Sequence, residues 1–173
     1  NTIVIFTSDN GGLGYKTDGG HGDKGTSNHP FRASKSSHYE GGSRVPLIVH
    51  WPGKTKADTL SHEVISGIDL YPTLLTIAGA AHPENHILDG RDFTPLLKDS
   101  SQSLPKRDLF FYQPIYNYGV FGKASVSLRR GDMKYIYYFV DEDFELFNLK
   151  DDLSQKNNLT KQNPELCEEL KKA

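Results

Sequence analysis

The chain has 173 residues, of which 24% are charged and 36% hydrophobic, and its formal net charge is −2. This length fits one domain or one and a half, and the nearly balanced charge argues against a nucleic-acid partner. No stretch approaches the roughly 18 consecutive apolar residues of a membrane span. The single cysteine, Cys167, excludes an internal disulfide.

The first predicted element is a strand over residues 2–6, an uncharged run of β-branched and apolar side chains. Such a run is typical of a strand buried on both faces in a parallel sheet. A core strand so early in the chain indicates a piece of a longer protein. Its unpaired edges are expected to recruit other strands, so self-association through this edge is predicted.

Asp9 and Asn10 follow this strand and lead into a pair of glycines. Ligands of open α/β sheets collect beyond the carboxyl ends of the strands. Carboxylate and amide oxygens suit hard cations such as Ca²⁺ and Mg²⁺. The same residues also suit a plain tight turn, so the pattern leaves both a metal site and a turn open.

Residues 11–25 contain seven glycines and no phosphate-binding signature, which favours a flexible loop over an anion cradle. The next segment carries four charges, Arg32, Lys35, Glu40 and Arg44, before a second apolar strand at residues 47–51. Glu40 can neutralise Arg32 or Arg44 inside the fold. Lys35 is then left over and is a candidate for contacting an anion.

The rest of the chain reads as scaffold. Residues 66–79 predict a helix, with Asp69 at its start and Gly79 at its end, and residues 93–98 predict a short helical turn. An antiparallel meander and a terminal helix follow, with strands predicted at residues 109–112, 124–128, 134–140 and 144–147 and the helix at 164–172. We therefore predict two domains, residues 1–98 and 99–173.

Seven motifs, taken in chain order, resemble those of the type I sulfatases, arylsulfatase-like enzymes of the alkaline phosphatase superfamily. The bacterial polysaccharide sulfatases resemble the chain most. The motifs are FTSDNGG (6–12), TSNHPFRASK (26–35), YEGGSRVP (39–46), DLYPTLL (69–75), DGRDFTPLL (89–97), RGDMK (130–134) and ELFNL (145–149). Serines at positions 34 and 36 depart from the glycines that the family usually has beside the lysine.

The resemblance implies an α/β fold: the C-terminal part of an alkaline-phosphatase-like sheet, followed by a small α+β subdomain with an antiparallel meander and a C-terminal helix. It implies that Asp9 and Asn10 are the last two ligands of an active-site Ca²⁺, for which Mg²⁺ is an alternative. Lys35 would be catalytic by holding the sulfate group, with Arg32 and His38 as further substrate-binding residues. The implied substrate is a sulfated carbohydrate or aryl sulfate.

The family's nucleophile is a formylglycine made from Cys or Ser in a C/S-x-P-x-R sequence. Cys167 does not fit this pattern. Ser103 fits its letters, but it follows the metal strand and lies in a polar connector, where a solvated loop is expected. The resemblance therefore predicts a C-terminal sulfatase fragment that lacks its nucleophile and is inactive alone. Its parent is expected in a periplasmic, extracellular or lysosomal compartment.

Two other functions remain open on the sequence alone. A phosphate or phosphonate ester hydrolase is built on the same superfamily scaffold. A non-catalytic module could instead dock sulfated glycans through Arg32, Lys35 and the tyrosines Tyr112, Tyr116 and Tyr118, although these rings are more typical of sheet packing.

Overall fold

A computed structural model describes residues 2–13, 26–114 and 123–173. The described part forms two compact units. The small-sheet unit comprises Asn1–Asp9 and Pro46–Lys106, and the meander unit comprises Asn10–Val45 and Arg107–Ala173. Each unit combines segments distant in sequence. The domain boundary predicted between residues 98 and 99 stays a prediction.

The small-sheet unit holds two strands and two α-helices. These are β1 (Val4–Thr7), β2 (Leu47–His50), α2 (Leu70–Ala78, entered through a 3₁₀ turn at Gly67–Asp69) and α3 (Thr94–Lys98). The meander unit holds the remaining elements. These are α1 (Glu40–Ser43), β3 (Asp108–Gln113), β4 (Ser125–Arg130), β5 (Met133–Tyr138), β6 (Asp143–Asn148) and α4 (Pro164–Lys171).

β1 pairs antiparallel with β2, with Phe6 opposite Ile48. This corrects the prediction of a buried strand in a parallel sheet. Val4 and Phe6 are 55% and 60% exposed, on the same face as Ile48, which is 62% exposed. An apolar run indicates that a strand can be buried on both faces. It does not indicate whether the neighbouring strand runs parallel or antiparallel.

The predicted helix at residues 66–79 is confirmed, and its start is held by a buried aspartate. The Asp69 carboxylate accepts hydrogen bonds from the backbone amides of Ser66 and Arg91, both at 2.7 Å. The Thr73 hydroxyl donates to the Asp69 carbonyl and accepts from the Phe93 amide. These bonds fasten the chain leading into α3 onto the first turn of α2.

The predicted meander and terminal helix are confirmed. The four strands follow the order β3-β4-β5-β6 and pair antiparallel throughout. α4 packs on one face of the sheet, where a core forms from Leu128, Tyr135, Leu146, Cys167 and Leu170. On the other face Ile136, Phe147 and Leu149 pack with Tyr39. None of the helices in the described ranges is long and apolar enough to cross a membrane.

The isolated chain should self-associate through the exposed face of the β1–β2 ribbon. Uncovered apolar side chains on an edge ribbon favour association, since burying them removes apolar surface from water. We expect concentration-dependent sedimentation that Phe6→Lys reduces. Ile87→Lys, which changes a highly exposed side chain elsewhere in the same unit, should leave the association unchanged. A clean monomer at every concentration would contradict the prediction.

Candidate functional site

The candidate site is built around the segment of residues 26–44, which runs from an irregular loop into α1 and belongs to the meander unit. The Asn28 side chain spans the loop. Its amide oxygen accepts from the Gly12 amide at 3.1 Å, and its nitrogen donates to the carbonyls of Gly12 and Ala33 at 2.8 and 3.3 Å. The Lys35 amide donates to the Gly12 carbonyl at 3.1 Å. The backbone beside Lys35 is thereby fixed to the residues that follow β1.

Two glycines let backbone pass against backbone in this segment. The Gly11 amide donates to the Gly42 carbonyl at 2.9 Å, and a Cβ atom on Gly11 would lie 1.8 Å from the Gly41 carbonyl oxygen. A Cβ atom on Gly41 would lie 2.3 Å from the Ala33 carbonyl oxygen. No side chain fits at either position. This contact gives a physical reason for the Gly-Gly pairs in the FTSDNGG and YEGG motifs.

Glu40 lies at the centre of a buried charge cluster. Its carboxylate accepts from the Lys134 ammonium at 2.7 Å and from the Arg44 guanidinium at 2.6 Å, and Arg129 lies 3.9 Å away. The Lys134 and Glu40 side chains are only 2% and 3% exposed. Glu40 is confirmed as the internal partner of Arg44, but it does not pair with Arg32 as the alternative had it. Sequence reasoning missed Lys134, whose signal is a lysine inside an apolar strand.

One carboxylate therefore lies among three cationic side chains. Burial acts to raise the pKa of Glu40, but the Lys134 and Arg44 charges and their hydrogen bonds lower it below its usual value. Burial lowers the pKa of Lys134, opposed by Glu40 and reinforced by the two arginines. The Glu40 carboxylate is the anion that Lys134 and Arg44 share.

His38 is placed away from solvent, against β4. One ring nitrogen, Nε2, lies 3.2 Å from the Ser125 carbonyl and the other, Nδ1, lies 3.1 Å from the Ser127 hydroxyl. Because a carbonyl only accepts, Nε2 carries the proton and Nδ1 accepts from the hydroxyl. Burial lowers the pKa of His38 to about 4, with the Ser125 bond opposing and the Lys134 charge assisting. Both nitrogens are engaged, so this geometry favours a structural role over the predicted contact with substrate.

Arg32 also has partners inside the unit. Its guanidinium donates to the Gln155 carbonyl at 2.9 Å and lies 3.9 Å from the centre of the Tyr39 ring. Glu145 is 3.8 Å away and shares its carboxylate with the hydroxyls of Tyr39 and Tyr138. The side chain is nevertheless 42% exposed. Its predicted substrate contact stays a prediction.

The Lys35 side chain is exposed, and its ammonium makes no hydrogen bond or ion pair with any residue that the structure describes. Asp9 is likewise exposed, and its carboxylate has no such partner within the described ranges. Asn10 is half-buried. Asp9 ends the first segment of the small-sheet unit, and Asn10 begins the meander unit.

The donor chemistry of Asp9 and Asn10 fits a hard cation, since both offer oxygen atoms. Two residues do not complete a coordination sphere. No group of three or more His, Cys, Asp or Glu side chains suited to a metal is present among residues 2–13, 26–114 and 123–173. The predicted ligand pair therefore needs further ligands from elsewhere, and the metal site stays a prediction.

The remaining candidate residues belong to the scaffold or lie outside the residues that the structure describes. Cys167 lies on α4 with its side chain buried in the core, and burial raises the pKa of its thiol. Ser103 is exposed in a loop, as expected. Tyr112 is exposed and makes an edge-on contact with Phe139 at 6.0 Å. Tyr116 and Tyr118, like most of the Gly-rich stretch, lie outside the described residues.

Residues 31–173 match the family model for the C-terminal region of N-sulphoglucosamine sulphohydrolase. The chain belongs to this sulfatase family. It is 37% identical over 172 residues to a sulfatase of Formosa agariphila, a match that covers 95% of this chain and 30% of that protein. It is 42% identical over 111 residues to human arylsulfatase A, covering 64% of this chain and 20% of the enzyme.

Solved structures agree on the fold. Ps i-CgsB, in complex with k-i-k-neocarrahexaose, superposes with a TM-score of 0.72 at 29% identity and covers 98% of this chain. A protein in complex with its substrate D-glucosamine-2-N,6-O-disulfate reaches a TM-score of 0.77 at 24% identity, which shows the fold alone. The chain spans 35% and 32% of these two structures. It is a C-terminal portion of a sulfatase with the alkaline-phosphatase-like fold of its neighbours.

Acid should destabilise the protein through His38. Its pKa in the folded state, about 4, lies below the ordinary 6.5, so the unfolded state binds the proton first as pH falls. This contribution to stability is complete above pH 6.5 and is lost between pH 6.5 and about 4. Its slope is at most about 1.4 kcal/mol per pH unit. Denaturant titrations across this range should show a shallower pH dependence for His38→Gln than for the wild type.

His86→Gln is the matched control, because His86 is exposed and its replacement should leave the pH dependence unaltered. Equal pH dependence of wild type and His38→Gln would show that the buried imidazole is not what acid disrupts.

Removing the Glu40 charge should strongly destabilise the protein. Glu40→Gln leaves Lys134 buried beside two arginines without an anion. Loss of one partner of a buried ion pair costs on the order of 3–5 kcal/mol. Thermal and denaturant unfolding should show this loss. Glu169→Gln, which breaks the exposed bond to Arg130, should cost much less. Equal losses in both variants would contradict the central position of Glu40.

Proposed function

We propose that this chain is the C-terminal part of an enzyme that hydrolyses sulfate esters of a carbohydrate or an aryl alcohol. The observation that carries the proposal is the exposed ammonium of Lys35, which has no partner within the described residues and stands on a tightly anchored backbone. A cation fixed at its base and free at its tip suits capture of an anionic sulfate group. Membership of the sulfatase family supports this assignment.

In this proposal Asp9 and Asn10 supply two oxygen ligands to Ca²⁺ or Mg²⁺. A divalent cation, when bound, polarises the sulfate oxygens as a Lewis acid. Lys35 binds the same group from the protein side and stabilises the negative charge that develops in the transition state. The nucleophile, a formylglycine, and the other metal ligands are provided by sequence outside this chain, so the chain alone is inactive.

A sulfated carbohydrate is the favoured substrate class. Ps i-CgsB, whose matching region is 29% identical to the chain, is solved with a neocarrahexaose, and the Formosa agariphila relative is named a sulfatase. Arg32, being 42% exposed, can contact a further polar group of the substrate while it stays bonded to Gln155. A secretory location of the parent enzyme, whether periplasmic, extracellular or lysosomal, is part of the same proposal.

Substitutions at Asp9 and Lys35 in the full-length enzyme should separate the metal ligand from the substrate contact. Asp9→Ala should lose bound metal and activity together. Lys35→Ala should keep its metal content. A charge-assisted hydrogen bond contributes roughly 1.5–3 kcal/mol, so we expect kcat/KM of Lys35→Ala for an aryl sulfate to fall about 10- to 200-fold. Metal content by elemental analysis and steady-state kinetics are the measurements.

Lys35→Arg should recover only part of the loss, since a planar fork replaces a compact charge. Lys161→Ala is the matched control because it removes an exposed lysine of the same unit and should leave kcat/KM unaltered. Wild-type kcat/KM in Lys35→Ala would overturn the assigned role of Lys35.

A further inference from the structure

Gln155, in the turn region after β6, is an unusual residue for an ordinary loop. Its side chain is fully buried, with 0% exposure. Its backbone adopts a left-handed conformation with φ +51°, which is uncommon for residues other than glycine, asparagine and aspartate. Its amide donates to the Asp152 carbonyl at 3.1 Å. A buried amide side chain and a strained backbone are both unfavourable in isolation. Contacts with the surrounding structure must therefore offset the cost of placing Gln155 here.

Two oxygen atoms of Gln155 accept hydrogen bonds from residues 32–40, called the Lys35 segment below. One bond lies before Lys35 in the chain and the other lies after it. The backbone carbonyl accepts from the Arg32 guanidinium at 2.9 Å. The side-chain oxygen accepts from the backbone amide of Glu40 at 2.6 Å. Arg32 precedes Lys35 in the chain and Glu40 follows it. One residue therefore fastens both ends of the stretch that presents the Lys35 ammonium.

The orientation of the Gln155 amide is fixed by chemistry. Because the backbone amide of Glu40 can only donate, the atom that faces it must be the Gln155 oxygen. The Gln155 nitrogen has no partner among the described residues although it is buried. The side chain is thus held by its oxygen, and its contact with Glu40 is the hydrogen bond that compensates part of its burial.

We infer that Gln155 is a positioning residue for the sulfate-binding lysine, acting through Arg32 and Glu40 on the backbone that carries Lys35. The inference rests on the proposed function of Lys35. A displacement of about 1 Å at a substrate-positioning group is enough to lower a rate substantially. Loss of the Gln155 oxygen frees one end of the segment and leaves the Glu40 amide buried without an acceptor.

The test is a double-mutant cycle in the full-length enzyme, with kcat/KM measured on 4-nitrophenyl sulfate. We expect Gln155→Leu to lower kcat/KM about 5- to 30-fold in the wild-type background. In the Lys35→Ala background the same change should lower it less than about twofold, because a positioning residue has nothing left to position. A merely structural residue would give the same factor in both backgrounds.

Gln155→Asn keeps the test decisive if Gln155→Leu fails to fold. Asparagine tolerates the left-handed backbone better than glutamine, but its side chain is one methylene shorter and withdraws the oxygen from the Glu40 amide. We expect a melting temperature lowered less than that of Gln155→Leu, a lower kcat/KM and the same dependence on Lys35.

Asn158→Ala is the matched control. Asn158 lies in the same stretch of chain and also accepts from backbone amides, but its donors, Leu146 and Thr160, lie outside residues 26–44. It should lower the melting temperature and leave kcat/KM unchanged.

Equal losses for Gln155→Leu in both backgrounds, or full kcat/KM in a folded Gln155→Asn variant, would overturn the inference while leaving the proposed function standing. Unchanged kcat/KM in Lys35→Ala alone would instead overturn the role of Lys35 and the inference with it.

Discussion

The organisation of the meander unit depends on one buried carboxylate. Glu40 is taken out of water, and an isolated ionised carboxyl group in such a place would be prohibitively costly. Lys134 from β5 and Arg44 from the end of α1 neutralise it, and Arg129 from β4 lies nearby. The segment that carries Lys35 is therefore attached to the sheet by a charge cluster, and the loss of its carboxylate leaves Lys134 and Arg44 without their partner. These ion pairs are directional, and apolar contacts are not.

The sequence was most informative for elements defined by local signals, namely the spacing of apolar residues and the Gly and Pro residues at element ends. The meander, the terminal helix and the helix at residues 66–79 follow from alternating apolar residues, Gly and Pro, and these elements are confirmed. Strand direction was not predictable, because β1 shows the same apolar run whether its neighbour is parallel or antiparallel. The pairing of Glu40 with Arg44 was predictable because the two residues are close in the chain, whereas Lys134 is distant in sequence and only the fold brings it to Glu40.

The candidate site shows the same limit for polar residues. The family resemblance grouped Arg32, Lys35 and His38 as residues that contact the substrate. The loop turns them in different directions. His38 points into the sheet against Ser125 and Ser127, Arg32 lies over Tyr39, and Lys35 is exposed. Left-handed backbone at Ala33 and Ser36, with φ of 62° and 70°, accompanies these changes of direction, and neither residue type signals such a conformation.

These three directions have a functional logic once Lys35 is taken as the sulfate contact. A lysine that also paired with Glu40 or Glu145 would have to give up that pair before it could bind substrate, and the loss would weaken binding. Both carboxylates have other partners: Glu40 has Lys134 and Arg44, and Glu145 has Arg32 together with two tyrosine hydroxyls. Glu40 and Glu145 are thus occupied, and the ammonium of Lys35 stays available for an external anion.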